Sequence, residues 1–433
     1  MDSSRPPRRA RRLSALWLDV SPLRDSAHYR RLWFGDLVAS SGSQFAAVAL
    51  PYQVYSATHS SFAVGMVGLT SLVPLLLGAL AAGAIADAFD RRRVLVASQT
   101  TSAAGCLALA LFTAGGEPPL AVLYLLGALL AFSASIESPV RNAVVPSLIG
   151  LERVPAASAL NQIVDQTSQI AGPAFAGLLL AGFGITTTYA VGAAAFAMAV
   201  GVSLGLPSMR PLGHAVRPGV GAILDGLRFA RRQPALLGTF VVDLNAMIFG
   251  MPRALFPALA ATTFAVGPQG LGLLYAAPAA GALLAAVSSG WVAHVQRQGA
   301  AVMASVVAWG AAIAVFGLVP GDLFWLALLL LAAAGAADVV SAVFRNTIMQ
   351  QVAPDDMRGR MASLHIAVVT SGPRLGDAES GLVAGLTSTS FAVVSGGIAC
   401  IVGAGLMHLL FPALSRYRRP ETPLPRTAVT AST

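Results

Sequence analysis

Two stretches of this sequence repeat each other: RNAVVPSLIGLERVPAASALNQIVDQTSQIAGPAFAGLLLAG, residues 141–182, and RNTIMQQVAPDDMRGRMASLHIAVVTSGPRLGDAESGLVAGL, residues 345–386. Four identities fall at one shift of 204 residues: Arg141 with Arg345, Asn142 with Asn346, Gly172 with Gly376, and Gly177 with Gly381. At a shift of 207, Asp36 meets Asp243 and Gly83 meets Gly290. The chain is therefore predicted to contain two similar halves, a plan common among membrane transporters.

Composition places both halves in a membrane. Of 433 residues, 56% are hydrophobic and 11% are charged, and the mean hydropathy is +0.71. A bilayer core about 30 Å thick needs roughly 20 apolar residues per helix. Twelve runs of that length are predicted: 32–56, 63–86, 94–115, 118–139, 156–181, 184–206, 235–261, 267–293, 300–319, 322–344, 361–386 and 389–412. The sequence thus predicts an all-α membrane protein with twelve transmembrane helices in two pseudo-symmetric six-helix bundles.

The spans divide the chain into five predicted segments. In order they are an Arg-rich tail (1–31), an N-terminal bundle (32–206), a linker (207–234), a C-terminal bundle (235–412) and a second tail (413–433). The first segment lacks an apolar core, so a tail is expected and not a cleaved signal peptide. The linker contains GAILDGLRFARRQPA, which predicts a helix lying along the membrane face.

Basic residues fix the expected orientation. All 28 are arginine, and except for Arg253 and Arg374 they lie in the tails and the even-numbered connections between spans, whereas the odd-numbered connections carry none. The positive-inside rule then places both termini in the cytoplasm of a bacterial cell, in a multi-pass plasma membrane protein. The formal charge of +9 therefore reflects topology and contact with anionic lipid, and a nucleic-acid partner is not expected.

The sequence lacks the residue patterns of an enzyme or a metal protein. Cys106 and Cys400 lie within apolar runs without ligands at metal-binding spacing, which indicates small core residues. Six scattered histidines suggest no nucleophile or metal cluster, and no phosphate-binding Walker sequence occurs. We expect no cofactor, no ATP hydrolysis and no enzymatic activity, and we expect a monomer.

Ionisable residues inside spans are the main candidates for function, because each costs roughly 2.5 to 3.5 kcal/mol on insertion scales. The candidates are Asp36, Glu137, Asp165, Asp243, Arg253, Asp338, Arg374, Asp377 and Glu379. Glu137 lies one helical turn before Arg141, which favours an interfacial ion pair between them. Asp36 and Asp243 occupy matching places and suit either helix packing or protonation, while a structural bond is expected for Asp338.

Two further groups lie in spans five and eleven. Asp165 shares a helix face with Asn161 and Gln169, which favours a substrate or proton role in an aqueous cavity over a structural bond.

SGPRLGDAESGL, residues 371–382, resembles a polar loop when taken alone, but the repeat places it inside span eleven. There Arg374 and Asp377 share a face, whereas Glu379 points about 140° away from Arg374 and needs another partner. Arg253 is the available cation, and alternating pairs of this kind could couple a proton to substrate movement.

The connection after span two, GAIADAFDRRR from Gly83, resembles the loop motif of the major facilitator superfamily. The match holds at Gly83, Asp87, Phe89 and Arg91–Arg93, and the family pattern is lost at Ala88 and Asp90. The resemblance implies a cytoplasmic latch formed by Gly83, Asp87, Arg91, Arg92 and Arg93. The second copy, GWVAHVQR from Gly290, has His294 in place of the acid.

Span five carries GPAFAG, which is similar to the glycine–proline motif of the superfamily's antiporters at Gly172, Pro173 and Gly177. A packing role with a tolerated kink is almost equally compatible with these residues.

The repeat stretches also resemble the branch that contains siderophore exporters, with macrolide efflux pumps as neighbours. The resemblance implies a secondary active exporter of a small amphipathic molecule, working by alternating access and proton antiport. A macrolide or multidrug efflux pump is the alternative, followed by a membrane sensor without transport.

Overall fold

The computed structural model describes residues 19–210 and 220–419, and this part of the chain is helical without any strand. The portions of the predicted tails and linker at 1–18, 211–219 and 420–433 lie outside the described residues.

Six membrane-crossing helices form the first half. They are α1 (Ala27–Thr58), α2 (Ser61–Ala88), α3 (Arg91–Ala114), α4 (Leu120–Ile149), and the run Val154–Leu204, which comprises α5 before Gly184 and α6 after it. Gly184 has φ of 82°, a backbone conformation that favours glycine, and this residue turns the chain back between α5 and α6. Ser26 and Ser60 cap α1 and α2 by accepting hydrogen bonds from backbone amides three residues ahead.

Six more helices form the second half. They are α7 (Pro234–Phe249), α8 (Gly267–Val287), α9 (Gln298–Phe316), α10 (Phe324–Val352), α11 (Arg358–Leu386) and α12 (Thr389–Leu410). After α7 the span continues through a 3₁₀ turn at Arg253–Leu255 and a short π-helical segment at Leu259–Thr263. Twelve crossings agree with the predicted fold class.

Nine helical runs among the described residues are long and apolar enough to cross a membrane. One of them, Val154–Leu204, crosses twice because of its break at Gly184. The remaining two crossings are α1 and α11, whose polar side chains keep them below that apolar threshold.

Helices α4 and α10 extend further than the apolar runs predicted. The expected ends were residues 139 and 344, whereas the helices continue to Ile149 and Val352. Val140, Val144 and Val145 remain buried in this extension of α4. Hydropathy detects the part of a helix inside the hydrocarbon, but packing beyond it is enough to continue the helix.

The linker contains an amphipathic helix, Val220–Arg232. It packs on α11: a Cβ atom at Gly226 would lie 2.8 Å from the carbonyl oxygen of Arg360, so the two backbones approach closely. Asp225 also lies 3.9 Å from the Arg360 guanidinium. The linker helix is therefore attached to the second half.

The even number of crossings places both described ends of the chain on one side, which we call the arginine-rich face. The linker helix and the connections after α2, α4, α8 and α10 lie on this side, and the other side is the opposite face. The two halves meet mainly where α2 packs on α11 and where α8 packs on α5.

Glycine pairs make both of these contacts close. A Cβ atom at Gly65 would lie 2.5 Å from the Asp377 carbonyl oxygen, and Gly381 packs on Gly65 in return. In the other interface a Cβ atom at Gly177 would lie 2.6 Å from the Pro268 carbonyl oxygen, and Gly272 packs on Gly177. Gly65 and Gly272 are 207 residues apart and Gly177 and Gly381 are 204 apart, so the two contacts are pseudo-symmetric. All four glycines lie within two turns of the opposite face, where the halves are closed.

Prediction: the substitution Gly177→Val is expected to separate the halves at the opposite face, because the new side chain overlaps the backbone of α8. Spin labels at the exposed residues Glu117 and Asp322, one in each half on that face, would report the separation by electron–electron distance measurement. Both native cysteines are buried, so neither competes for the label.

Gly182→Val is the matched control on the same helix, since nothing lies within 4 Å of a Cβ atom there. We expect a longer label-to-label distance for Gly177→Val and an unchanged distance for Gly182→Val. Equal distances in both variants would show that the glycine contact does not hold this face closed.

Candidate functional site

A cavity of about 580 Å³ lies between the two halves. Its size is within the range of small-molecule sites. Its polar lining comes from α1, α2, α3, α4, α8, α11 and the turn after α7: Ser40, Ser43, Gln44, Ser71, Ser102, Glu137, Ser138, Arg141, Arg253, Tyr275, Thr370, Arg374 and Asp377. The cavity borders the glycine contacts and extends along α4 toward the arginine-rich face, where Glu137 and Arg141 line it.

At one wall of the cavity, Arg141 of α4 forms an ion pair with Asp36 of α1. The Arg141 guanidinium contacts the Asp36 carboxylate directly, and the Ser40 hydroxyl donates a hydrogen bond of 3.1 Å to the same oxygen. Asp36 is 4% exposed, and its other carboxylate oxygen has no hydrogen-bond partner among the described residues. This second oxygen can therefore accept a proton without breaking a hydrogen bond.

Glu137 is buried beside this pair but is held differently. Its carboxylate accepts a hydrogen bond of 2.9 Å from the Gln99 side chain of α3, and Gln99 in turn accepts one of 2.8 Å from the Ser203 hydroxyl of α6. The sequence favoured an ion pair between Glu137 and Arg141, but the structure turns Arg141 to Asp36. Two carboxylates thus lie close to Arg141; Glu137 and Arg141 line the cavity, whereas Asp36 does not.

The second half contains an ion pair equivalent to that of Arg141 and Asp36, but its neighbouring side chains differ. The Arg345 guanidinium lies 2.7 Å from Asp243 and 3.8 Å from Asp338, and it donates a hydrogen bond of 2.7 Å to the Ser341 hydroxyl. Arg345 is 4% exposed, and none of the four residues lines the cavity. Asp36 and Asp243 therefore make equivalent helix contacts, but only in the first half does the arginine of the pair line the cavity.

A second charged group lines the cavity near the glycine contacts. The Arg374 guanidinium lies 3.9 Å from the Asp377 carboxylate, as the shared helix face predicted. Arg253 lines the same cavity from the turn after α7 and acts electrostatically on Asp377. Glu379, for which Arg253 was the expected partner, is half-buried and does not line the cavity.

The predicted polar stripe of α5 does not reach this cavity. Asn161 accepts a hydrogen bond of 3.1 Å from the Tyr29 hydroxyl and so joins α5 to α1. Asp165 is half-buried and within electrostatic range of Asp36, whereas Gln169 is exposed. None of the three lines the cavity.

The arginines of the loop motif connect elements within the first half by hydrogen bonds. Arg91 donates a hydrogen bond of 2.8 Å to the Ala143 carbonyl oxygen, and Arg92 donates to that of Leu204. Asp87 is half-buried at the end of α2 and makes no ion pair within the part of the chain that is described. Gly83 lies one turn earlier on α2, and Arg93 is exposed. In this conformation the hydrogen bonds of Arg91 and Arg92 stay within the first half.

Asp90, at a position where the family pattern is lost, makes the central contacts of this loop. It caps α3 by accepting from the Arg92 amide, and it also accepts from the Ser208 hydroxyl and the Met209 amide. Slight burial raises its pKa, but these hydrogen bonds outweigh that effect and lower the pKa below its usual value. Asp90 directly precedes α3, which begins at Arg91 and so three residues before the predicted start of the span, and an aspartate at such a place is an N-cap signal in the sequence.

The antiporter-like motif lies at the contact between the halves. A Cβ atom at Gly172 would lie 2.6 Å from the Gln44 side chain, a cavity-lining residue of α1. The Pro173 carbonyl oxygen packs on Gly272 of α8, and Gly177 packs there as well. The motif therefore allows α5 to approach both α1 and α8 closely.

Two six-helix bundles around a charged central cavity define a membrane transporter, and the comparisons agree with this class. The model of the family described as "Transmembrane secretion effector" matches residues 18–428. The chain belongs to this family, a branch of the major facilitator superfamily. The resemblance inferred from the sequence is thereby confirmed.

Two curated relatives are named enterobactin exporter EntS. The protein of Citrobacter koseri is 31% identical over 409 residues, which cover 94% of this chain and 97% of the relative. The protein of a strain of Escherichia coli is 30% identical over 417 residues, covering 95% and 98%. These relatives are transporters and not enzymes, and they support a multi-pass protein of the bacterial inner membrane.

Solved structures show the same fold at low identity. The nucleoside transporter NupG aligns with a TM-score of 0.68 at 16% identity and covers 90% of this chain and 100% of its own. A bacterial homologue of the iron transporter ferroportin, solved in an inward-facing state, aligns with a TM-score of 0.66 at 16% identity and covers 90% and 98%.

Prediction: Asp243→Asn is expected to destabilise the protein strongly, because it leaves Arg345 buried with only the more distant Asp338 as a carboxylate partner. Removing one partner of a buried pair costs about 3 to 5 kcal/mol. Thermal unfolding of the purified protein in detergent would measure the loss.

Asp225→Asn is the control, because its ion pairs are exposed and are worth about 0 to 1 kcal/mol. The double variant Asp243→Asn with Arg345→Gln removes the unpaired charge and should recover part of the stability. An Asp243→Asn protein as stable as Asp225→Asn would contradict the structural role of the pair.

Proposed function

We propose that the protein is a secondary active exporter of a siderophore-like, small amphipathic molecule. The observation that carries the proposal is the charged cavity between two pseudo-symmetric halves. Two relatives at 30% and 31% identity, each covered over nearly its whole length, are named enterobactin exporters. A cavity of about 580 Å³ with three arginines and many hydroxyl groups suits a polyhydroxylated or anionic compound.

The proposed direction of transport rests on the distribution of the arginines between the two faces. The arginine-rich face is proposed to be cytoplasmic under the positive-inside rule, so both termini lie in the cytoplasm. With the glycine contacts closing the opposite face, the described conformation would receive its substrate from the cytoplasmic side. One chain supplies the cavity and both contacts between the halves, so we propose that a monomer is sufficient.

Alternating access is proposed to occur by rocking of the two halves. The two glycine contacts are pseudo-symmetric and lie at the same depth, so a single rotation can release both of them. The loop motif at Asp87 and Arg91–Arg93 lies at the other face and would pair across the halves in the alternate state. The linker helix, which is attached to α11 through Gly226 and Asp225, would follow the second half.

Proton coupling is proposed to act through Asp36, Glu137 and Arg141. When both carboxylates are ionised, Arg141 pairs with Asp36 and is also attracted by Glu137, which lies one helical turn away on α4. The ionised Glu137 carboxylate lines the cavity and can accept hydrogen bonds from hydroxyl groups of the substrate, and its protonation removes this charged acceptor and weakens substrate binding. A substrate and a proton would therefore load the site alternately, which is the requirement for antiport.

The remaining candidates take supporting roles in this proposal. Arg253, Arg374 and Asp377 contact the substrate from the second half, because they line the cavity. Asp165 acts on Asp36 through space, and Asn161 positions α5 against α1. Gln169, Asp338 and Glu379 lie away from the cavity lining, and Asp243 holds Arg345.

Prediction: in vesicles containing the purified protein, an imposed pH gradient is expected to drive accumulation of enterobactin, with a macrolide panel as the comparison substrates. Glu137→Gln should reduce gradient-driven accumulation about a hundredfold, the lower end of the contribution of a positioned proton-transfer group. The same variant should retain exchange of labelled for unlabelled enterobactin, which needs binding and rocking but no net proton movement.

Glu379→Gln is the matched control, since it makes the same chemical change on a carboxylate outside the cavity lining. It should retain gradient-driven accumulation. Equal losses in both variants would contradict the assignment of Glu137, and movement of macrolides without enterobactin would replace the siderophore proposal with the multidrug alternative.

A further inference from the structure

A second concave site lies outside the central cavity. It is a groove of about 400 Å³ between α2 and α3, with α4 as its floor. Most of its lining is apolar, including the exposed ring of Phe89. Because the groove lies between helices on the outer side of α4, it faces the surrounding lipid.

The groove spans about one leaflet of a bilayer. Phe89 and Arg93 lie at the ends of α2 and α3 on the arginine-rich face, and Thr101 is the deepest lining residue of α3. Eight residues of helix from Arg93 to Thr101 correspond to about 12 Å. Half of a hydrocarbon core is about 15 Å thick. The groove thus begins at headgroup level and ends near the bilayer centre.

One unpaired cation lies at the mouth of the groove. Arg93 is exposed, makes no ion pair among the described residues, and is the sole ionisable side chain of the lining. Its neighbours Arg91 and Arg92 are occupied by backbone carbonyl oxygens. The nearby acid, Asp90, interacts electrostatically with Arg93, but it accepts its hydrogen bonds from Ser208 and two backbone amides and makes no ion pair with Arg93. Arg93 is therefore free to bind an anion from the membrane.

Polar groups also lie deeper in the groove. Ser98 and Ser133 line it from α3 and α4, and Ser98 is about 7.5 Å further along α3 than Arg93. Below them lie Leu129 and Thr101, and the Thr101 hydroxyl donates a hydrogen bond to the Ala97 carbonyl oxygen of its own helix. The groove thus has a cation at its mouth and hydroxyl groups deeper on a largely apolar wall, which suits the phosphate, ester and acyl regions of a phospholipid.

We propose that this groove binds an anionic phospholipid from the leaflet at the arginine-rich face. Arg93 holds the phosphate, the hydroxyls of Ser98 and Ser133 face the ester region, and one acyl chain lies along α2, α3 and α4. Basic pockets between membrane helices on this side are suited to such headgroups. Helices α2, α3 and α4 line both the groove and the central cavity, but with different residues: on α4, Ser133 and Ile136 line the groove, whereas Ala134 and Glu137 line the cavity. The bound lipid supports α4 from behind the proposed proton site.

The test measures lipid retention by the full-length protein. The purified protein in detergent is exposed to equal amounts of phosphatidylglycerol and phosphatidylcholine with identical acyl chains, and bound lipids are counted by native mass spectrometry. The wild type is expected to retain phosphatidylglycerol in preference to phosphatidylcholine. Arg93→Gln should lower phosphatidylglycerol retention about fivefold, the effect of one surface arginine on anionic lipid.

Matched controls separate the site from general effects. Arg297 directly precedes α9 and is equivalent to Arg93 by the shift of 204, so Arg297→Gln removes the same charge elsewhere. Ala97→Phe fills the groove and should lower retention of both lipids. Ala104→Phe adds the same bulk two turns deeper on α3, outside the groove, and should leave retention unchanged. Thermal unfolding of each variant identifies any that fail to fold.

Three results would overturn the proposal. They are equal retention of the two lipids by the wild type, equal effects of Arg93→Gln and Arg297→Gln, and unchanged retention in Ala97→Phe. Displacement of phosphatidylglycerol by enterobactin would likewise overturn it, because the groove would then be part of a substrate path.

Discussion

The structure depends on buried arginine–carboxylate pairs that hold the helices of each half together. Arg141 with Asp36 joins α4 to α1, and Arg345 with Asp243 joins α10 to α7. Removing the partner of either arginine would destabilise the protein strongly, because an unpaired charge inside a membrane has a high free energy. Each half is therefore stabilised as a unit, while the contacts between the halves are made by glycines and backbone. Relative movement of the halves then leaves the ion pairs intact.

The two halves have kept this pair but have diverged around it. In the first half, Glu137 lies one turn before the arginine and the group faces the cavity. In the second half, Ser341 occupies the position equivalent to Glu137 at the shift of 204, and Asp338 approaches the arginine from another turn. The first half therefore offers titratable groups to the cavity, and the second half contributes Arg253, Arg374 and Asp377 from other elements.

Much of the fold could be predicted from the sequence, because apolar run length and the internal repeat are local or directly visible properties. The repeat also located residues 371–382 within α11 and paired Arg374 with Asp377 correctly. Partners between helices were harder to predict. Arg141 and Asp36 are 105 residues apart, and helix periodicity gives no reason to join them, so the nearer Glu137 was favoured.

The limits of helix periodicity also explain two differences from the prediction. The polar face of α5 does not line the cavity, and Arg253 is not the partner of Glu379. Spacing by four correctly places Asn161, Asp165 and Gln169 on one face, but it cannot say whether that face meets the cavity or a neighbouring helix. The break after Gly250 moves Arg253 out of a regular helix into a turn, where it faces the cavity and not Glu379. An aspartate that caps a helix, Asp90, was visible in the sequence but was counted only as a departure from a family pattern.

The central claim is that substrate and proton compete at the cavity through Asp36, Glu137 and Arg141. Proton release on binding of enterobactin to the purified protein in weakly buffered detergent tests it most directly. The account predicts release of about one proton per enterobactin bound, and a marked reduction of that release in Glu137→Gln. Saturating binding by the wild type without any proton release would contradict it.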